Sequence, residues 1–150
     1  MKKFQFSLEM LLSHRIREER ELQVELSLIE RQIMDEKLSL SKIRDAIIKL
    51  HEEVRNNQID VIGISEYAVY DNFIIKLKND VLAKEEKIVE IENKLFLKRE
   101  ELIEAVKKRK IVDNLKEKKL LIHTEEHKKE EQNFMDEIGI YRFNRLNYII

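Results

Sequence analysis

Hydrophobic residues recur through the first third of the chain at alternating spacings of four and three. Leu22, Leu26, Ile29, Ile33, Leu40, Ile43, Ile47, Leu50 and Val54 form the series, and Glu36 stands where one apolar residue is missing. Extended toward the N-terminus, the same frame passes Glu19 and Arg15 and reaches Leu12 and Leu8. An apolar repeat of 3.5 residues predicts a helix whose narrow stripe faces another helix in a left-handed supercoil. Helix one is expected over about 7–57, ending at the polar run Asn56-Asn57-Gln58.

A second series follows: Tyr70, Ile74, Leu77, Val81, Ile88, Ile91, Leu95, Leu102 and Ala105. It keeps the four-and-three rhythm if Lys84 and Lys98 occupy seam positions with their aliphatic stems along it. Near Val112 and Leu115 the frame is expected to slip, with Ile122 continuing the shifted register. The loop is expected over about 58–65, where Gly63 can adopt a left-handed backbone and Ser65 can cap the next helix. Helix two is then expected over about 65–141, followed by a flexible C-terminal tail.

Two long amphipathic helices joined by a short loop fold back most simply on each other. The predicted fold is all-α, one long antiparallel two-helix coiled-coil hairpin over residues 1–150, its second helix longer than its first. At 1.5 Å per residue the helices would span roughly 75 and 115 Å. Pairing from the loop outward sets Leu8 opposite a residue near Lys116. Everything beyond about Leu120 is expected to overhang without an intramolecular partner, and an isolated helix of that length is marginal in water.

Composition supports thin, extended helices. Charged residues make up 39 % of the 150, there is no proline, and Gly63 and Gly139 are the only glycines. No apolar run approaches the ~20 residues that cross a bilayer. Lys2 and Lys3 precede a mildly apolar stretch, but Gln5, Ser7, Glu9 and His14 interrupt it, against a signal peptide. The absence of cysteine excludes disulfides and thiolate metal sites and fits a reducing cytoplasm.

No catalytic set is visible, so no enzyme activity, cofactor or small-molecule substrate is expected. His123 and His127 share a helix face at i,i+4, as in two-histidine metal sites, but lack the intervening H-E-x-x-H pattern. Charge is blocked in helix two. Between Lys107 and Lys119 seven bases face two acids, a local net of +5; between Glu125 and Glu137 six acids outnumber two lysines, a local net of −4. These blocks read either as solvated helix faces or as steering surfaces for a charged partner. Adjoining blocks of opposite sign, without an aromatic platform, argue against nucleic acid. Aromatics collect at the ends: Phe4 and Phe6; Tyr67, Tyr70 and Phe73; Phe134, Tyr141, Phe143 and Tyr148. Such placement suits docking more than packing, although Tyr70 and Phe73 also fit a loop-proximal core.

Several of these pieces resemble the flagellar export FliJ family, related to the YscO-type stalk proteins of virulence secretion. They are Phe4-Gln5-Phe6-Ser7-Leu8 with Leu11-Leu12 and Arg15; Tyr67, Tyr70, Phe73 and Leu77; Glu101 through Arg109; Val112 through Lys118; Glu130-Glu131-Gln132; and Asp136-Glu137-Ile138. The resemblance covers nearly the whole chain. It implies a hairpin similar to the central stalk of rotary ATPases, acting as a non-enzymatic part of the type III export apparatus. It implies contact with the export ATPase FliI and the export-gate protein FlhA, and in some members with export chaperones. The implied location is cytoplasmic, peripheral at the inner membrane. Phe73 and Leu77 fall on gate-contacting positions of the family, whereas Asp80, Lys84 and the aliphatic Ile47, Leu50 and Val54 depart from its pattern. The expected ring contacts lie at the other end, among Arg109, Lys116, Asp136 and Glu137. A generic coiled-coil scaffold and a holdase-type export chaperone are the alternative readings of the same seam.

Overall fold

The computed structural model describes residues 3–56 and 63–149, and two helices hold nearly all of them. Helix α1 runs Glu9–Asn56 over 48 residues, and α2 runs Ile64–Asn147 over 84 residues. The second helix is the longer, as the pattern predicts. Neither contains a proline to remove a donor, and their glycines are confined to Gly139. Each begins with a glutamate in the first turn, Glu9 or Glu66, and ends with an arginine in the last, Arg55 or Arg145. Those charges complement the helix dipole.

The start of α2 differs from expectation. The carbonyl of Gly63 accepts from the backbone N–H of Glu66 at 3.0 Å and of Tyr67 at 3.1 Å. Gly63 is therefore the N-cap, and Ser65 lies inside the first turn. Its backbone is also not left-handed. The rest of the expected loop, residues 57–62, lies outside the described residues.

The helices pack as an antiparallel coiled-coil hairpin. Ion pairs between them display the direction: Arg44 with Glu85, Lys37 with Glu92, Glu30 with Arg99, Glu25 with Lys98, Glu19 with Arg109 and Glu9 with Lys116. Partners on α2 rise from Glu85 to Lys116 as those on α1 fall from Arg44 to Glu9, the adjacent Arg99 and Lys98 alone exchanging order. Leu8 was expected near Lys116, and its neighbour Glu9 bonds that lysine at 2.8 Å.

Contacts divide the chain into two compact units. The unit Arg20–Ile103 buries Ile33, Leu40, Ile74, Ile88 and Ile91 and half-buries Leu22, Leu26, Ile29, Ile43, Ile47, Leu50, Val54, Tyr70, Leu77, Val81 and Leu95. Every seam position read from the sequence within this unit is thus at least partly covered. The polar seam members are covered too and are paired. Glu36 bonds Lys84 and Lys87, and Lys98 bonds Glu25 at 2.6 Å and Glu101 at 3.2 Å. Polar groups inside a seam fix register and direction because a slip would strip them of partners.

The other unit joins Met1–Glu19 to Glu104–Ile150. Leu12, Val112 and Phe6 form its buried cluster, with Phe4 and Ile16 packed against it, and Ala105 is buried as well. The expected register slip is absent. Ala105, Arg109, Val112 and Lys116 continue the unshifted frame, while Leu115 and Ile122 are 37 % and 54 % exposed. The frame survives because Arg109 and Lys116 fill seam positions with their charges paired to α1, so no apolar residue is needed there.

Candidate functional site

Within the unit Arg20–Ile103, the first turns of α2 carry an apolar cluster next to the end of α1. Leu50, Glu66, Val69, Tyr70 and Phe73 line a shallow groove. Phe73 is 47 % exposed, whereas Leu77, one turn on, is half-buried at a seam position. The structure therefore separates the two residues predicted to act together. Phe73 presents its ring to solvent, and Leu77 divides its surface between the seam and the outside. Tyr70, half-buried, belongs to the packing.

In the other unit, Arg109 and Lys116 are engaged rather than free. The Arg109 guanidinium donates from Nε to Glu19 and from Nη1 to Asp113 at 3.0 Å. The Glu19 carboxylate, and secondarily Asp113, holds the guanidinium above its ordinary arginine value, so it stays charged. Lys116 donates to the Glu9 carboxylate, 2.8 Å from Oε2 and 3.0 Å from Oε1. Asp136 and Glu137 are exposed, and among the described residues no salt bridge reaches beyond Lys116. The four expected ring contacts thus fall into an internally bonded pair and an open pair. Lys108, Lys110 and Lys118 have no salt-bridge partner among the described residues, so they carry the open part of the basic block.

The N-terminal aromatics pack instead of standing free. Residues 3–6 are not helical, yet Phe6 is buried against Leu12 and Val112, with the Lys119 ammonium 5.9 Å from its ring centroid. That is cation–π range. Phe4 meets His123 edge-to-face at 5.5 Å, and His123 meets His127 at 5.8 Å. This non-helical strap therefore carries the pairing past the start of α1, its outermost aromatic contact reaching His123, about one turn beyond Leu120. Helical periodicity cannot signal such a strap; the only sequence sign was Phe4 and Phe6 set two apart, as on one face of an extended segment. Among the described residues no three metal-ligating side chains converge at the histidines. No described helix is long and apolar enough to cross a membrane.

No curated protein and no solved structure matches the chain. Residues 4–147 do match a family model, that of the flagellar FliJ protein, and since the match spans both helices and the strap, the chain belongs to the FliJ family, a component of flagellar protein export.

Proposed function

We propose that this chain is a non-enzymatic stalk of the flagellar type III export apparatus, linking the export ATPase FliI to the export-gate protein FlhA and promoting export. The observation that carries the reading is the family match over residues 4–147, on a hairpin whose α2 presents an exposed phenylalanine in its first turns. In this reading Phe73 is the principal gate contact, because an exposed aromatic beside an apolar groove is the surface that gains most from being covered. Leu77 contributes the part of its side chain that the seam leaves open.

The ring contact falls to the unit containing both termini. Asp136 and Glu137 are open acids. Arg109 retains unused N–H groups beyond those given to Glu19 and Asp113, and Lys116 beyond those given to Glu9. Exposed charge of this kind speeds encounter and is screened by salt, which suits a contact that must form without locking. The protein then works in the cytoplasm, peripherally at the inner membrane, and handling of export chaperones would use the same exposed surfaces.

Titration of the full chain against the purified gate cytoplasmic domain and the export ATPase tests the proposal. Binding to both is expected, with Phe73→Ala weakening the gate arm alone and Asp136→Lys/Glu137→Lys weakening the ATPase arm alone. Absence of binding to either partner would overturn the stalk assignment.

A further inference from the structure

A second apolar ladder runs along α2 and takes no part in the hairpin seam. Ile75, Leu82, Val89, Phe96 and Ile103 stand seven residues apart, and all lie within the unit Arg20–Ile103. They are 49 %, 59 %, 55 %, 63 % and 47 % exposed. Each directly follows a seam residue (Ile74, Val81, Ile88, Leu95 and Leu102), which rotates it about 100° away from the seam. Single exposed apolar residues are ordinary. Here every heptad in succession carries one at the same position, whereas the position four residues on reads Asn79, Glu86, Asn93 and Glu100.

A spacing of seven keeps a row aligned only along a supercoiled helix, so the surface that matches it is another helix following the same supercoil. The flanks state its charge. Glu86, Glu90 and Glu100 border the ladder, are exposed, and form no salt bridge among the described residues. Glu85 and Glu92 on the other flank are tied to Arg44 and Lys37 of α1, and Arg99 to Glu30. Lys76 lies beside Ile75, and Lys78 lies between Ile75 and Leu82. Past Leu82, as far as Ile103, the free charge beside the ladder is acidic. An acidic border opposes docking on an anionic lipid surface. A parallel second copy would set each of these glutamates against its own equivalent, which costs stability.

We infer that the face of α2 from Leu82 to Ile103 docks a basic amphipathic helix of a different protein, making a local three-helix coil. This surface shares no residue with the gate and ring contacts proposed above, and it stands or fails independently of them.

The probe is a synthetic helix of about three heptads, with leucine at one position per heptad and lysine on its flanks, together with the same peptide bearing glutamate in place of lysine. Anisotropy with the full chain is expected to show the lysine peptide binding at least about tenfold tighter than the glutamate peptide, with affinity falling as salt rises. Leu82→Gln/Phe96→Gln should reduce that binding at least about tenfold while circular dichroism and Tm hold, because both side chains lie outside the seam. Glu86→Lys/Glu90→Lys/Glu100→Lys should reverse the preference between peptides. Equal binding of the two peptides would overturn the inference, as would undiminished binding by the glutamine variant. It would also be overturned by sedimentation showing a dimer of the chain that the glutamine variant dissolves, or by phosphatidylglycerol vesicles that bind the parent and not that variant.

Discussion

Between Leu22 and Val54 of α1, Glu36 occupies the one seam position where the apolar repeat fails, and it accepts from Lys84 of α2 at 2.7 Å and from Lys87 at 2.9 Å. Its side chain is only 14 % exposed. The interruption in the sequence is thus a place where the two helices are specifically tied, since a shift of register would leave a covered carboxylate without its ammonium groups. Hydrogen bonds from Lys84 and then Lys87 hold the carboxyl below its ordinary value, against the opposing effect of burial.

That direction fixes a pH dependence. A carboxyl whose folded pKa is depressed contributes stability above its unfolded pKa, about 4.3, and loses it as pH falls through the lower folded value. The Tm of the native chain should fall on acidification through this range, and Glu36→Gln should show a smaller fall while starting lower at neutral pH. Thermal melts at pH 7 and pH 3 compare the two; parallel curves would mean that the pair contributes nothing. Replacing the group with leucine together with Lys84→Leu should raise Tm and loosen the choice of register, because a well-packed apolar layer often exceeds a buried ion pair in stability.

Register can be tested directly. Continuing the direction set by the ion pairs toward the start of α2 brings Leu50 level with Ile74. Leu50→Cys/Ile74→Cys should form an intramolecular disulfide at low protein concentration, since bridging requires Cα atoms within about 7 Å. Non-reducing gels that show only intermolecular dimers would instead describe a parallel pair of chains.

Phe73 and Leu77 should separate on mutation. Leu77, half-buried in the seam, should cost about 2–3 kcal/mol when cut to alanine, toward the lower end for a core leucine. Phe73→Ala should stay within about 0.5 kcal/mol, the scale of ordinary surface changes, and lower gate binding far more than Leu77→Ala does relative to its effect on folding. Denaturant melts with a gate titration read both quantities. A large loss of stability in Phe73→Ala would reassign its ring to packing.

The seam, the hairpin and the length difference were legible because 3.5-residue periodicity is a property of sequence alone. The frame was lost at Arg109 and Lys116 because charged residues there looked like breaks, and Leu115 and Ile122 offered a false continuation. Whether a seam lysine or arginine is paired depends on what stands opposite, and the facing helix enters only with the fold. The strap escaped because residues 3–6 obey no helical period. The ladder from Ile75 to Ile103 is present in the sequence as a spacing of seven, but it lies outside the four-and-three alternation that marks the seam. For the candidate site, sequence pointed to Phe73 and Leu77 but could not tell the exposed member from the packed one.

The strap gives its own prediction. Phe6 is buried against Leu12 and Val112 under the Lys119 ammonium. Phe6→Ala should cost about 3 kcal/mol in that unit, the lower end for a buried phenylalanine. Amide exchange should rise in residues 105–127 of α2 while residues 74–95 keep their protection, because the loss is local. Uniform loss of protection along α2 would show instead that the helix opens as one cooperative element.

Beyond His127 the chain is helical to Asn147 but nearly every side chain is exposed, including Phe134, Tyr141 and Phe143. A helix of some twenty residues with no partner is marginal in water. Its amides should exchange rapidly in the free protein and slow on addition of the export ATPase. Ending the chain at residue 127 removes no buried residue, so Tm should stay within about 1 °C, below the roughly 2–4 °C that 1 kcal/mol gives at this size. The same truncation removes Asp136 and Glu137, and it should abolish stimulation of the ATPase together with the salt sensitivity of that stimulation. Because folding and function are expected to part here, the result is decisive either way. A truncated chain that still stimulates the ATPase, with the same dependence on salt, would move the ring contact to Arg109, Lys116 and the open lysines of the basic block.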